Sequence, residues 1–285
     1  MSVIVGIDIG GSTTKIVGLV EGDGDWNIIE PQLVRANDPI TSTYGAFGKF
    51  TDENGLKISD ISKIVMTGVG ASHMKNNLYG LDCLRVNEFD CIGRGGTYLS
   101  GISDALVVSM GTGTAMVHAS SDGSMRYLGG TGVGGGTLMG LSKLLLNAEE
   151  IEHIELYAES GSLDNIDLRI KDLTSSGSMS QLERDITASN FGRLSDMADK
   201  GDVALGIMNL VFETVGMVSI FAASFAGVKD VILTGNVTEL KQCKRKFEEF
   251  NSLELSRGLN FLIPERARFA TAIGAAIIGA GGCDK

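Results

Sequence analysis

Apolar positions come in short bursts along the chain, and most bursts end on glycine. Val3-Ile4-Val5 leads through Asp8 into Gly10-Gly11, and β-branched residues resume at once, so 3–9 and 15–20 predict a hairpin with a glycine turn. Lys63 to Thr67 predicts a strand running into Gly68-Val69-Gly70, and Asp104 to Met110 a third running into Gly-Thr-Gly-Thr at 111–114. A second hairpin follows: Ala115 to His118, a Ser-Ser-Asp-Gly turn at 120–123, then Met125 to Leu128. Leu138 to Leu146 has the apolar content of a helix, 230–236 reads as a strand ending in a glycine turn, and 270–280 reads as a helix of small residues. From about Val203 to Ala226 the chain is apolar nearly all round, with Glu213 its main charge, which predicts a helix buried in the core or against a second subunit. Asn209 and Glu213, in the middle of its most membrane-like stretch, favour that reading over a membrane span.

The recurring unit is therefore strand, Gly/Thr turn, strand, and it divides the chain into expected domains at 1–103 and 104–285, with the C-terminal helix free to pack back on the first. A length of 285 residues with 43% hydrophobic content suits two medium domains. The net charge of -11, with no basic run longer than Lys244-Arg245-Lys246, argues against nucleic acid or an anionic membrane as partner. Cys83, Cys91, Cys243 and Cys283 are scattered without metal-ligand spacing and read as reduced thiols. No signal peptide is visible, so the expected location is the cytoplasm.

The chemistry rests first on the loop GIDIGGSTTK at 6–15, which has neither the spacing of a Walker loop nor that of a dinucleotide fold. Two glycine hairpins in similar halves resemble the plan of the actin-like ATPase superfamily. That resemblance implies an α/β fold of two ribonuclease-H-like domains with an interdomain nucleotide cleft, and Asp8 holding hydrated magnesium. The cluster GGTGVGGGT at 129–137 opens into a helix, an arrangement whose backbone amides suit an anion. A proton acceptor is needed for phosphoryl transfer, and Glu88 and Asp90 in RVNEFDCIGRGG both qualify; spacing does not choose between them.

Taken in order, GIDIGGSTTKIVG, NEFDC, GTGT, GGTGVGGGT, NIDLRIKDL and DITASNFGR resemble the type II pantothenate kinases over nearly the whole chain. The resemblance implies phosphorylation of the primary hydroxyl of pantothenate by ATP and Mg2+, in a homodimer, with Glu88 as general base. It implies nucleotide contacts from Gly10, Gly11, Ser12, Thr13, Thr14 and Lys15, from Thr112 and Gly113, from Gly135, Gly136 and Thr137, and from Asn236. Thr114 is expected near the acceptor hydroxyls, and DITASNFGR is expected to supply part of the acceptor pocket. One departure stands out: the family's active-site arginine lies two residues before the glycine turn, where this chain has Tyr127, with Arg126 one residue earlier. Arg126 is expected to fill this catalytic and substrate-binding role through a bulge, because a one-residue slip reverses a strand's face; if Arg126 faces solvent instead, another cation such as Arg94 takes the role. Three other readings share the motifs: a sugar kinase of the same fold, an ATPase that activates a dehydratase through an iron-sulfur cluster, and a nucleotide sensor or filament protein without a base.

Overall fold

The computed structural model describes residues 2–22, 26–35, 38–75, 77–173, 184–256 and 258–281. Cys283 and all but the first residue of the Ser-rich 173–181 stretch, read from sequence as a mobile loop, lie outside them.

Strands β1 (Val3–Ile9), β2 (Thr13–Glu21) and β3 (Trp26–Arg35) form an antiparallel meander. Helix α1 (Pro39–Glu53) follows, with Asp38 accepting from the Thr41 amide as its cap and proline at its first position, both favourable helix starts. Strands β4 (Ile61–Thr67), β5 (Asn77–Leu78) and β6 (Leu81–Arg85) complete a six-stranded sheet in the order β3-β2-β1-β4-β6-β5. After helix α2 (Glu88–Ser100) come β7 (Ala105–Met110), β8 (Thr114–Ala119) and β9 (Met125–Thr131), then helices α3 (Gly135–Leu146) and α4 (Ile151–Glu159). A small ribbon of β10 (Leu168–Arg169), the one-turn α5 (Ile170–Leu173) and β11 (Thr187–Ser189) precedes the long α6 (Lys200–Ala226). The chain closes with β12 (Asp230–Thr234), α7 (Lys241–Ser252), β13 (Asn260–Leu262) and α8 (Ala270–Gly279), and the second sheet runs β13-β12-β7-β8-β9.

Each sheet is covered on both faces, which explains why its strands read as nearly continuous apolar runs. Phe47 and Phe50 of α1 pack on Val3, Val5, Ile7 and Ile9, while Ala272, Ile273 and Ala276 of α8 cover the opposite face through Val17 and Leu19. In the second sheet, Met208, Val211 and Phe212 of α6 pack against Leu106, Val108 and Met116; Ile92 of α2 meets Val107, Val117 and Ile232 on the other side. The two inner helices therefore change places, since α2 follows the first sheet but covers the second, and α8 follows the second but covers the first. They touch backbone to backbone: a Cβ added at Gly95 would lie 1.8 Å from the Ala270 carbonyl oxygen, and one at Gly274 would lie 1.9 Å from that of Cys91.

Helix α6 is long and apolar enough by composition to cross a membrane, yet 67% of its most apolar window is buried inside this fold. Asp199 caps it by accepting from the amides of Gly201 and Asp202, and Asp202 accepts in return from the Asp199 amide. Its buried Glu213 accepts from the Thr187 amide at 2.8 Å and hydroxyl at 3.0 Å, which explains how a carboxylate sits in that apolar face.

Candidate active site

The register of the first hairpin sets Asp8 opposite Lys15, and cross-strand neighbours lie within side-chain reach. Lys15 Nζ donates to Asp8 Oδ2 at 3.4 Å, with both side chains almost wholly buried. At the hairpin's end the Gly10 amide donates to the Thr13 carbonyl at 3.0 Å, which leaves the amides of Gly11 and Ser12 with no acceptor among the described residues. The second hairpin closes in the same way. Gly111 donates to the Gly113 carbonyl at 2.9 Å, and the amides of Thr112 and Gly113 are left unclaimed among the described residues.

The two turns face each other, with Ser12 Oγ and Thr112 Oγ1 only 3.4 Å apart. A third turn, after β12, reaches the same place: Asn236 Nδ2 donates to Thr13 Oγ1 at 3.2 Å, while its buried Oδ1 has no partner among the described residues. Gly235 makes that approach possible. Its φ of 99° lies in the left-handed region, and a Cβ there would fall 2.3 Å from the Met110 carbonyl oxygen.

Glu88 joins this group from α2. Asn87 caps the helix by accepting from the Phe89 amide at 2.8 Å, so Glu88 is the first helical residue. Burial pushes its carboxyl above the ordinary glutamate value, the Asp8 carboxylate pushes it the same way, and Lys15 pulls it back. Asp90 is exposed. The structure thus separates two acids that spacing left equivalent, because only Glu88 is half-buried among the charges of the cleft. Cys91, one turn further, has its thiol pushed up to about 12 chiefly by burial, so it stays protonated and unreactive at neutral pH.

Four unclaimed amides on opposed turns, the Ser12 and Thr112 hydroxyls, and the Lys15 ammonium are the donor set that a polyphosphate needs. Among the described residues no three metal-ligating side chains cluster. The Asp8 carboxylate, beside the phosphate-facing turns, fits magnesium held through water and phosphate oxygens rather than in a protein cage.

Several of the expected site residues already have partners within the chain. The amides of Gly135 and Gly136 are not free anion donors: they donate to the carbonyls of Gly111 and Thr112, each at 2.8 Å. Thr137 Oγ1 donates to the Gly132 carbonyl and accepts from the Gly134 amide. The first turn of α3 thereby braces the second hairpin turn, and its glycines are required because added Cβ atoms at 134, 135 and 136 would lie 2.8–2.9 Å from atoms of residues 111–113. Thr114 is buried with its hydroxyl donating to the Val133 carbonyl at 2.8 Å, so it is committed to the same brace rather than to an acceptor. Thr14 is fully buried, and its hydroxyl has no partner among the described residues.

Arg126 lies on the face of the second sheet opposite α2. A bulge does occur in β9, but it falls after Tyr127: Val117 pairs with Tyr127 and Met116 with Gly129, leaving Leu128 as the extra residue. Arg126 therefore pairs with His118 and lies over the Phe225 ring of α6 at 5.6 Å. Tyr127 is the residue on the α2 face, stacked on Phe89 with ring centroids 4.0 Å apart. Arg94 is no substitute, since it lines a cavity of about 820 Å³ with the 120–123 turn. DITASNFGR packs on α6 and the β10 ribbon, with Thr187 bonded to Glu213, the Phe191 amide to Asp167 and Arg193 to Asp172. The Phe89–Tyr127 stack was missed from sequence because it depends on where the bulge falls; Asn-Glu before an apolar helix was the available signal for the Glu88 cap.

Two hairpin-turn halves closing on one cleft define the actin-like ATPase and sugar-kinase class. The activator of 2-hydroxyisocaproyl-CoA dehydratase from Clostridium difficile, with bound ADPNP, superposes with a TM-score of 0.68 at 18% identity, covering 97% of this chain and 93% of that one. A ROK family glucokinase from Streptomyces griseus, in complex with glucose and AMPPNP, gives 0.59 at 16% identity, covering 98% and 100%. Within that class the chain belongs to the type II pantothenate kinase family. The Fumble family matches residues 102–250, and a type II pantothenate kinase of Bacillus cereus (strain ATCC 10987 / NRS 248) is 31% identical over 254 residues, 83% of each chain.

Proposed function

We propose that the chain is a pantothenate kinase that transfers the terminal phosphoryl group of ATP to the primary hydroxyl of pantothenate, giving 4'-phosphopantothenate, the first step of coenzyme A biosynthesis. The observation that carries the site assignment is Glu88, half-buried beside Asp8 and Lys15 where two turns with unclaimed amides meet. MgATP, when bound, supplies the phosphoryl group and the charge that screens it. The amides of Gly11, Ser12, Thr112 and Gly113 hold phosphate oxygens, Lys15 offsets their charge, and Asp8 positions the metal through water. Asn236, whose Oδ1 has no partner among the described residues, lies beside the nucleotide. Glu88 accepts the acceptor hydroxyl's proton as the new oxygen–phosphorus bond forms and ADP leaves. Alignment and charge neutralisation supply most of the rate. Phe89 and Tyr127 present a flat aromatic wall next to Glu88 against which the acceptor packs.

The assembly we propose is a cytoplasmic homodimer with no nucleic-acid or membrane partner. Phe221 and Phe225, one turn apart on α6, are 64% and 75% exposed, and a second copy covering them removes that apolar face from water. The working division remains 1–103 and 104–285, with α2 and α8 exchanged across it. The test is ADP release from MgATP with pantothenate, with N-acetylglucosamine and without acceptor, for the native chain and Glu88→Ala. Pantothenate-dependent turnover lost in the variant is the expected result; turnover indifferent to pantothenate overturns the acceptor.

A further inference from the structure

The cavity that Arg94 lines, of about 820 Å³, lies between the two halves and away from the cleft. Its walls come from the C-terminal part of α2, the 120–123 turn and residues 265–266, joined by Ile28 of β3 and Ile277 of α8. It shares no lining residue with the cleft, and Tyr98 in its wall is about 15 Å along α2 from Glu88. A space of this size takes a small molecule rather than a lone ion.

Arg94 is the informative residue. It is half-buried, yet among the described residues its guanidinium has neither an ion pair nor a hydrogen bond. Five N–H donors partly withdrawn from water in this way are costly unless an acceptor arrives. The guanidinium lies along the 120–123 turn: a Cβ added at Gly123 would fall 3.3 Å from one of its terminal nitrogens. Ser120 and Ser121 add hydroxyl donors from that turn. A second guanidinium comes from Arg266, whose ion pair with Glu30 is long, at 3.9 Å, and exposed, so it holds the arginine only weakly. Arg266 also has a φ of 61°, in the left-handed region, where glycine is the easier residue. The chain therefore keeps a side chain there against the preference of its backbone. Asp122 and Glu265, the two carboxylates of the lining, are exposed and pair with neither arginine among the described residues.

We infer that this cavity is a second ligand site, for an organic phosphate monoester. Its phosphate oxygens accept from Arg94, Arg266 and the two serine hydroxyls, more donors than a carboxylate can take up, and displace Glu30 from Arg266. Its organic part lies against Ile28, Ile102 and Ile277. Because the arginine at 266 and the turn belong to the second half and Ile28 to the first, a bound ester touches both.

The probe is phenyl phosphate, titrated calorimetrically into the full chain saturated with Mg2+ and the ATP analogue AMPPNP, with inorganic phosphate and phenol as controls. The expected result is one saturable site, weakened about tenfold, or about 1.4 kcal/mol, by each of Arg94→Met and Arg266→Gly. Inorganic phosphate should bind more weakly, and phenol not at all. Arg266→Gly supplies the residue the backbone prefers, so it should weaken the probe without lowering the melting temperature. That variant decides the matter if Arg94→Met does not fold. Lys15→Met, which removes the cation of the cleft, should leave the titration unchanged. No saturable binding, equal binding by the native chain and both arginine variants, or phosphate or phenol binding as tightly as the ester would overturn the proposal. So would binding lost in Lys15→Met, which would seat the probe in the cleft.

Discussion

Glu88 has the position a proton acceptor needs and the ionisation that makes it useful. Glu88→Gln keeps the shape and loses the base, so turnover should fall by about 10²–10⁴-fold with little change in KM for ATP, as steady-state kinetics will read. Its titration follows from its surroundings. The carboxyl stands above its ordinary value of 4.5 because of burial first and Asp8 second, so the acid limb of the pH–rate profile should lie above that of a solvated glutamate. Asp8→Asn should lower the Glu88 midpoint and Lys15→Met should raise it, measured by carboxyl-carbon NMR. The linkage has a definite sign. A carboxyl raised in the folded state contributes stability below its unfolded pKa, and that contribution is lost as pH rises through the folded one. Glu88→Gln should therefore raise the melting temperature at pH 7 and not at pH 4; the reverse pattern would mean that the burial is wrongly assigned.

At the scale of elements, the strand–turn–strand units were legible because alternating apolar residues and glycine turns are local signals, and 3–9, 230–234 and the helix opening at 270 lie where the pattern puts them. The glycines of α2 were not legible. Gly93, Gly95 and Gly96 form the face on which α2 meets α8 and the second sheet, a demand that only tertiary packing makes. The bracing of the GGG cluster has the same origin: sequence marks a helix start with free amides, while the carbonyls that take the Gly135 and Gly136 amides sit in a turn more than twenty residues earlier. Gly95→Ala forces a methyl into the Ala270 backbone and should cost about 1–3 kcal/mol in urea unfolding, with turnover falling as α2 shifts. Gly45→Ala is the matched control. It lies in α1 with nothing near the new methyl, and should stabilise by about 0.5–1 kcal/mol.

For the whole molecule, the polar contacts that join the halves at the cleft include Ser12 to Thr112 and Thr13 to Asn236, each a single long bond between small side chains. Ligand bridging the turns should therefore add to stability by mass action: ADP at a hundred times its Kd is worth about 2.7 kcal/mol, visible as a rise in melting temperature that Asn236→Ala diminishes. The apolar pair on α6 belongs to this scale as well. Phe221→Asp with Phe225→Asp should give a monomer in sedimentation at micromolar concentration, and an unchanged sedimentation coefficient would place the interface elsewhere.

The exchange of α2 and α8 bears on how the chain can be cut. A gene divided after residue 103 would yield one fragment with a sheet lacking its α8 cover and another with a sheet lacking its α2 cover. Each fragment alone exposes a sheet face built for burial and should aggregate or stay unfolded, whereas the two expressed together hold each other's missing helix. Split halves of this kinase should behave as obligate complements, making recovered activity a report on the proximity of whatever they are fused to.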